Sequence, residues 1–145
     1  MIIGIDVGKN GAVAWTTLGD TLVEKMPETT KDLWDLIDGI AKDAHRNLEI
    51  PHCYLEQVSS SPQMGVVSAF SFGNGYGHLE MALTAAGIPF TKVRPQVWMK
   101  HLGCMTKGDK NVTKRMAQQL YPNIKITHAN ADALLIHEYG KQIHR

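Results

Sequence analysis

The chain has 145 residues, a hydrophobic fraction of 43% and a formal net charge of +1. This length is typical of one domain with one substantial core, so we expect a single domain over residues 1–145. No apolar run approaches the roughly 20 residues that a membrane span needs, so we expect no membrane partner. Two cysteines, Cys53 and Cys104, form no motif and indicate reduced thiols in a cytoplasmic protein.

The predicted elements begin with an antiparallel meander of three strands. The first strand opens at Ile2 and ends at Asp6, before a turn rich in glycine. Residues 11–15 and 21–26 read as the second and third strands, and Gly19-Asp20 suits a hairpin turn between them.

Helices and two further strands follow. Apolar residues at helical spacing predict a helix over residues 31–47, and a fourth strand over 52–55 ends at Glu56. A long helix over 64–86, with a weak or kinked centre at its glycines, precedes a fifth strand over 89–93. Three helices complete the chain, over 95–101, 110–120 and 129–143. This order predicts an α/β fold with a five-stranded mixed sheet and helices on both faces.

Positive charge is concentrated in one segment. Residues 92–115 contain seven Lys or Arg residues and a single acid, Asp109, in a chain whose net charge is only +1. A basic segment in an otherwise acidic chain favours a local surface that contacts phosphates. An exposed loop and helix without a ligand would show the same pattern, so charge alone leaves both interpretations open.

Three acidic residues stand in unusual settings. Asp6 ends the first strand, Glu56 ends the fourth, and Asp132 lies between Ala131 and Ala133 near the start of the last helix. If the first and fourth strands are parallel neighbours, the first two acids emerge at one edge of the sheet. The small alanines would let the last helix approach that edge and bring in the third acid.

Three crowded carboxylates repel one another, and a divalent cation would compensate them. Oxygen ligands favour Mg²⁺, with Mn²⁺ as the alternative, and two such ions can activate water and stabilise the leaving oxygen of a phosphodiester. Each acid also has a simpler interpretation: Asp6 as a turn cap, Glu56 as a surface acid and Asp132 as a helix cap. Their joint placement favours the metal site.

Five stretches of the chain resemble bacteriophage-type RuvC-like crossover junction endodeoxyribonucleases. They cover most of the chain in the family's order and spacing. The stretches are GIDVGKNGA, YLEQVSSSPQMGV, FSFGNGYGHLEMAL, GIPFTKVRPQVWMK and NADALLIHEYG.

The resemblance implies a ribonuclease H-like fold, a homodimer, Mg²⁺ dependence with two ions per site, and paired symmetric nicks in four-way (Holliday) junctions. Asp6, Glu56 and Asp132 match three of the family's catalytic acids and metal ligands. The fourth position does not match, because Ala129 stands where the family usually has Asp or His. His128, one helical turn before Asp132, is the candidate fourth ligand or proton carrier, with a capping or surface role as the alternative.

Candidate DNA contacts follow Glu56 and lie in the basic segment. A loop of hydroxyl and amide side chains can reach phosphates or bases, and lysines near the acids can stabilise charge on the reacting phosphate. The candidates are Ser59, Ser60, Gln63, Lys92, Arg94, Lys107, Lys110 and Lys114.

A four-way junction is nearly two-fold symmetric, so a dimer with two sites matches it. The helix predicted over residues 64–86 has more apolar surface than one sheet face needs, and its excess is a candidate dimer contact. Core packing alone is the alternative interpretation of that excess.

Three other functions remain open. The stretch GIDVGKNGA also resembles the first phosphate loop of actin-like sugar kinases and ATPases, but the chain has no second loop of that kind, so we expect no nucleotide cofactor. A non-catalytic junction-binding protein would be expected to have lost a carboxylate. A nuclease for other branched DNA, such as flaps or forks, would share the metal chemistry, and the motifs do not separate it from a junction resolvase.

Overall fold

A computed structural model describes all residues 1–145 as one five-stranded sheet with five helices. The strands are β1 (Ile2–Asp6), β2 (Ala12–Thr17), β3 (Asp20–Lys25), β4 (His52–Glu56) and β5 (Phe90–Val93). The helices are α1 (Thr30–Arg46), α2 (Val66–Ala85), α3 (Pro95–Leu102), α4 (Asn111–Leu120) and α5 (Ala131–Ile143). None of the helices is both long enough and apolar enough to cross a membrane.

The strand order in the sheet is β3-β2-β1-β4-β5. The first three strands form an antiparallel meander, and β4 and β5 add to it in parallel with β1. The mixed sheet predicted from the sequence is therefore confirmed.

Helices cover both faces of the sheet, as predicted, because alternate strand residues point to opposite sides. One face of the sheet packs against α1 and α2 around Ile3, Ile5 and Leu55. The other face packs against α3, α4 and α5 around Tyr54, Val93 and Trp98. The carboxyl end of this second face is where the acidic residues emerge.

Helix α5 lies unusually close to β1. A Cβ on Gly4 would overlap the backbone of His137 and come within 2.6 Å of the Ala133 carbonyl oxygen, so only glycine permits this approach. The buried His137 ring fixes the helix further, with Nδ1 2.9 Å from the Tyr121 hydroxyl and Nε2 2.6 Å from the Thr16 hydroxyl. Burial lowers the pKa of His137 to about 4, so the ring is neutral and each nitrogen has a partner. The predicted close approach of α5 is confirmed.

One local prediction is wrong. The hairpin turn between β2 and β3 is Leu18-Gly19, not Gly19-Asp20, because Thr17 pairs with Asp20 and both turn residues have positive φ (49° and 89°), as a two-residue type I′ turn requires. The long helix predicted over residues 64–86 is α2, which runs without interruption through its glycines. Its C-terminal turns are anchored by the buried Leu79 and Leu83, and this packing outweighs the low helix propensity of glycine.

Candidate active site

The parallel pairing of β1 and β4 brings Asp6 and Glu56 together. Ile5 pairs with Leu55, so the next residue of each strand stands side by side at the carboxyl end of the sheet. The two carboxyl groups are close enough to share a hydrogen bond, and Glu56 is 7% exposed. This is the crevice in which open α/β sheets place their sites.

Asp132 reaches the same place from the first turn of α5. The buried neighbours Ala131 and Ala133 hold that turn against the sheet, and Asp132 acts electrostatically on both Asp6 and Glu56. The structure therefore brings the three sequence-predicted acids to one site.

Burial dominates the electrostatics of this site. Burial raises the pKa of Asp6 to about 9, and the negative charges of Glu56 and Asp132 add to the rise. Burial likewise raises the pKa of Glu56 and of Asp132 from their ordinary values. Without a cation, the site therefore holds Asp6 protonated at neutral pH, with its carboxyl group hydrogen-bonded to Glu56.

Two uncharged donors contact the acids. The indole Nε1 of Trp98, from α3, donates to Glu56 Oε1 at 3.3 Å. The buried hydroxyl of Thr113, from α4, lies within hydrogen-bonding reach of the Asp132 carboxylate and of the Lys110 carbonyl oxygen (3.2 Å). Sequence analysis named neither as a site residue: Trp98 lies in the stretch GIPFTKVRPQVWMK, but an apolar-looking Trp and a helix-interior Thr do not by themselves indicate a contact with an acid.

Lys110 and His128 flank the acids. Lys110 is the N-cap residue of α4 and is exposed; its charge opposes the rise in pKa of both Asp6 and Asp132. His128 is also close enough to act on Asp132, but it lies in the turn before α5, which begins at Ala131. The predicted helical step between His128 and Asp132 is therefore wrong, whereas their proximity holds.

The other DNA-contact candidates come from β5, from the starts of α3 and α4, and from two loops. Lys92 extends toward the opposite face of the sheet, where it pairs with Glu80 of α2 and lies over the Tyr76 ring. Arg94 is an exposed residue at the start of α3, and Lys114 lies one turn after the N-cap of α4. The remaining candidates are exposed loop residues, namely Ser59, Ser60, Gln63 and Lys107.

The donor set fits a hard divalent cation, because three partly or fully buried carboxyl groups meet here and no arginine pairs with them. As the side chains stand, however, no three His, Cys, Asp or Glu groups are arranged to hold a metal ion.

A cavity of about 630 Å³ lies elsewhere, between β3 and α1, and none of the predicted site residues lines it. This cavity is therefore separate from the acidic residues, which lie at the carboxyl ends of β1 and β4 and at the start of α5.

A mixed sheet of this order with carboxylates at the ends of β1 and β4 and at the start of α5 defines the ribonuclease H-like class of fold. Two solved structures of Thermus thermophilus RuvC, one of them in complex with a Holliday junction substrate, share that fold. Their TM-score is 0.61 in both cases, at 20% and 19% identity, over 98% and 99% of this chain and 95% of theirs.

The yeast mitochondrial Holliday junction resolvase Ydc2 is a third structural neighbour, with a TM-score of 0.49 and 14% identity over 95% of this chain and 76% of its own. A scan against protein-family models and a search of curated proteins gave no match. The likeness to the two Thermus thermophilus structures shows the ribonuclease H-like fold of RuvC, as the family resemblance implied.

Proposed function

We propose that the chain is a structure-selective DNA endonuclease that resolves four-way junctions by Mg²⁺-dependent hydrolysis of phosphodiester bonds. The observation that carries the proposal is the meeting of Asp6, Glu56 and Asp132 at the carboxyl end of the sheet. The matched fold supports it, since one of the RuvC structures contains a Holliday junction.

Asp6, Glu56 and Asp132 are the proposed metal ligands. Bound Mg²⁺, or Mn²⁺ in its place, supplies charge stabilisation for the phosphate and an activated water, and two ions per site would serve both oxygens of the cleaved bond. Loading the site requires Asp6 to lose its proton and the three side chains to turn toward one another. Such adjustment is modest for side chains that already interact electrostatically.

The residues around the acids have separate roles in this proposal. Lys110 lies beside Asp6 and Asp132, where its ammonium group can bind the scissile phosphate and stabilise added negative charge. His128, exposed and close to Asp132, can carry a proton to the leaving oxygen or serve as a fourth ligand. Ser59, Arg94 and the other exposed candidates would contact the DNA backbone, with the exception of Lys92, whose ammonium group pairs with Glu80.

We further propose a homodimer formed through α2. Val66, Val67 and Phe70 in its first turns are 86%, 82% and 77% exposed, whereas Tyr76 and Leu79 further along pack into the core. A cluster of large apolar side chains with this exposure marks a contact surface. Two copies related by two-fold symmetry would present two sites to the two opposed strands of a junction.

Both thiols are buried and free, which fits the reducing cytoplasm expected from the sequence.

The test is a cleavage assay with Mg²⁺ on four-way junctions, forks, flaps and linear duplex. We expect paired nicks in the junction, loss of cleavage by at least about 100-fold in Asp132→Asn, and retained junction binding by that variant. Asp20→Asn, which changes an exposed acid in the β2–β3 hairpin, is the matched control. Equal cleavage of flaps or forks would indicate a broader branched-DNA nuclease, and binding without cleavage would indicate a non-catalytic binder.

A further inference from the structure

Trp98 connects the hydrophobic core to the acidic site. It is fully buried in the cluster that packs α3, α4 and α5 on the sheet, and its single polar atom points at Glu56. Glu56 in turn is one of the few buried charged residues of the chain. The pair therefore joins a rigid core side chain to a proposed metal ligand.

The position of the indole is closely determined by its surroundings. Val93 pairs with Glu56 in the sheet, and only Arg94 separates Val93 from Pro95, the first residue of α3. Helix α3 then ends at Gly103, whose left-handed conformation (φ 70°) closes it after eight residues. The acceptor Glu56 thus lies on β4, and the donor Trp98 lies on α3, which follows the adjacent strand β5 after a one-residue connection. This short connection fixes the distance between donor and acceptor.

The donor is uncharged, and this distinguishes it from the usual partner of a buried carboxylate. An Arg or Lys beside Glu56 would neutralise the acid and compete with a divalent cation for it. An indole N–H orients the carboxylate while leaving its negative charge for the cation. A carboxylate ligand held in this way loses little conformational freedom when the metal binds.

We propose that Trp98 is a positioning residue for the metal site: its Nε1–H fixes Glu56 in the orientation that binds the divalent ion. The inference rests on the proposed function, since it takes Glu56 to be a metal ligand. It goes beyond that function because it assigns a role to a residue that touches neither the metal nor DNA.

The test measures Mn²⁺ binding to the full chain without DNA, by calorimetry and by the paramagnetic resonance of free Mn²⁺. Trp98→Phe removes the donor, and replacement of Trp98 by 3-benzothienylalanine removes it while keeping the size and shape of the ring. Trp15→Phe is the control, since Trp15 is a nearly buried tryptophan in the core on the opposite face of the sheet. The melting temperature of each variant is measured in parallel, with EDTA.

We expect both Trp98 variants to bind Mn²⁺ about 10- to 100-fold more weakly, as is typical when a hydrogen-bonding partner of a metal ligand is lost. Trp15→Phe should bind as the wild type does. For the benzothienyl variant we also expect a melting temperature close to that of the wild type, and junction cleavage that recovers at high Mg²⁺ concentration.

Unchanged Mn²⁺ affinity in the benzothienyl variant would overturn the inference. It would show that Trp98 contributes to core packing and not to metal binding. Absence of Mn²⁺ binding by the wild type would overturn it as well. A wild-type protein that binds Mn²⁺ but cleaves no DNA refutes the proposed function instead, and weaker Mn²⁺ binding by the Trp98 variants would still support the positioning role.

Discussion

Replacing Asp6 by Asn should stabilise the metal-free protein at neutral pH. Burial and the neighbouring acids raise the pKa of Asp6 from 3.8 to about 9, so between these values the folded state keeps a proton that the unfolded state has released. The free energy of unfolding then falls as pH rises, by up to about 1.4 kcal/mol per pH unit. From the ordinary pKa to pH 7 the loss amounts to about 4 kcal/mol for this one group.

Asparagine keeps the shape of the side chain and can donate to Glu56 without titrating. We therefore expect Asp6→Asn to raise the free energy of unfolding by about 2–4 kcal/mol at pH 7, and by little at pH 4. Urea unfolding in EDTA at each pH unit from 4 to 8 measures the difference, with Asp20→Asn as the control. Equal free energies of unfolding for the wild type and Asp6→Asn at pH 7 would refute the raised pKa of Asp6.

Three further outcomes are expected. Mg²⁺ binding should release about one proton, so its affinity should increase with pH; calorimetry in buffers of different ionisation enthalpy measures this release. Lys110→Ala should weaken junction binding and reduce the slope of the log binding constant against log salt concentration by about one. Lys92→Ala should leave that slope unchanged, because the ammonium group of Lys92 pairs with an acid on the opposite face of the sheet. Gly4→Ala should lower the free energy of unfolding by about 3 kcal/mol, because its Cβ would overlap α5. Gly39→Ala, in open space on α1, should raise it by up to about 1 kcal/mol. Urea unfolding of both variants measures these changes.

The fold could be predicted because each element of the chain carries its own local signal. Alternation and turn residues mark the meander, and helical spacing of apolar residues marks α1. The turn at Leu18-Gly19 was misplaced by one residue, because asparagine and glycine usually occupy positions with positive φ and here a leucine does. Strand register depends on the pairing of the whole strand, which a local turn signal does not contain.

The acids could be predicted for a different reason, since strand ends and small neighbouring residues are visible in the sequence. Trp98 and Thr113 could not, because their roles come from the contact of α3 with Glu56 on β4 and of α4 with Asp132 on α5. Gly4 belongs to the same group: its place inside β1 shows no turn, and only the approach of α5 explains it. Contacts between distant segments leave no periodic signal in one sequence.

The position of a bound metal tests the central claim most directly. A crystal of the protein soaked in Mn²⁺ should show an anomalous peak within about 2.5 Å of carboxylate oxygens from Asp6, Glu56 and Asp132, with the three side chains turned toward it. A peak at another surface of the molecule, or none at these three residues under saturating Mn²⁺, would contradict a metal-dependent nuclease site at this edge of the sheet.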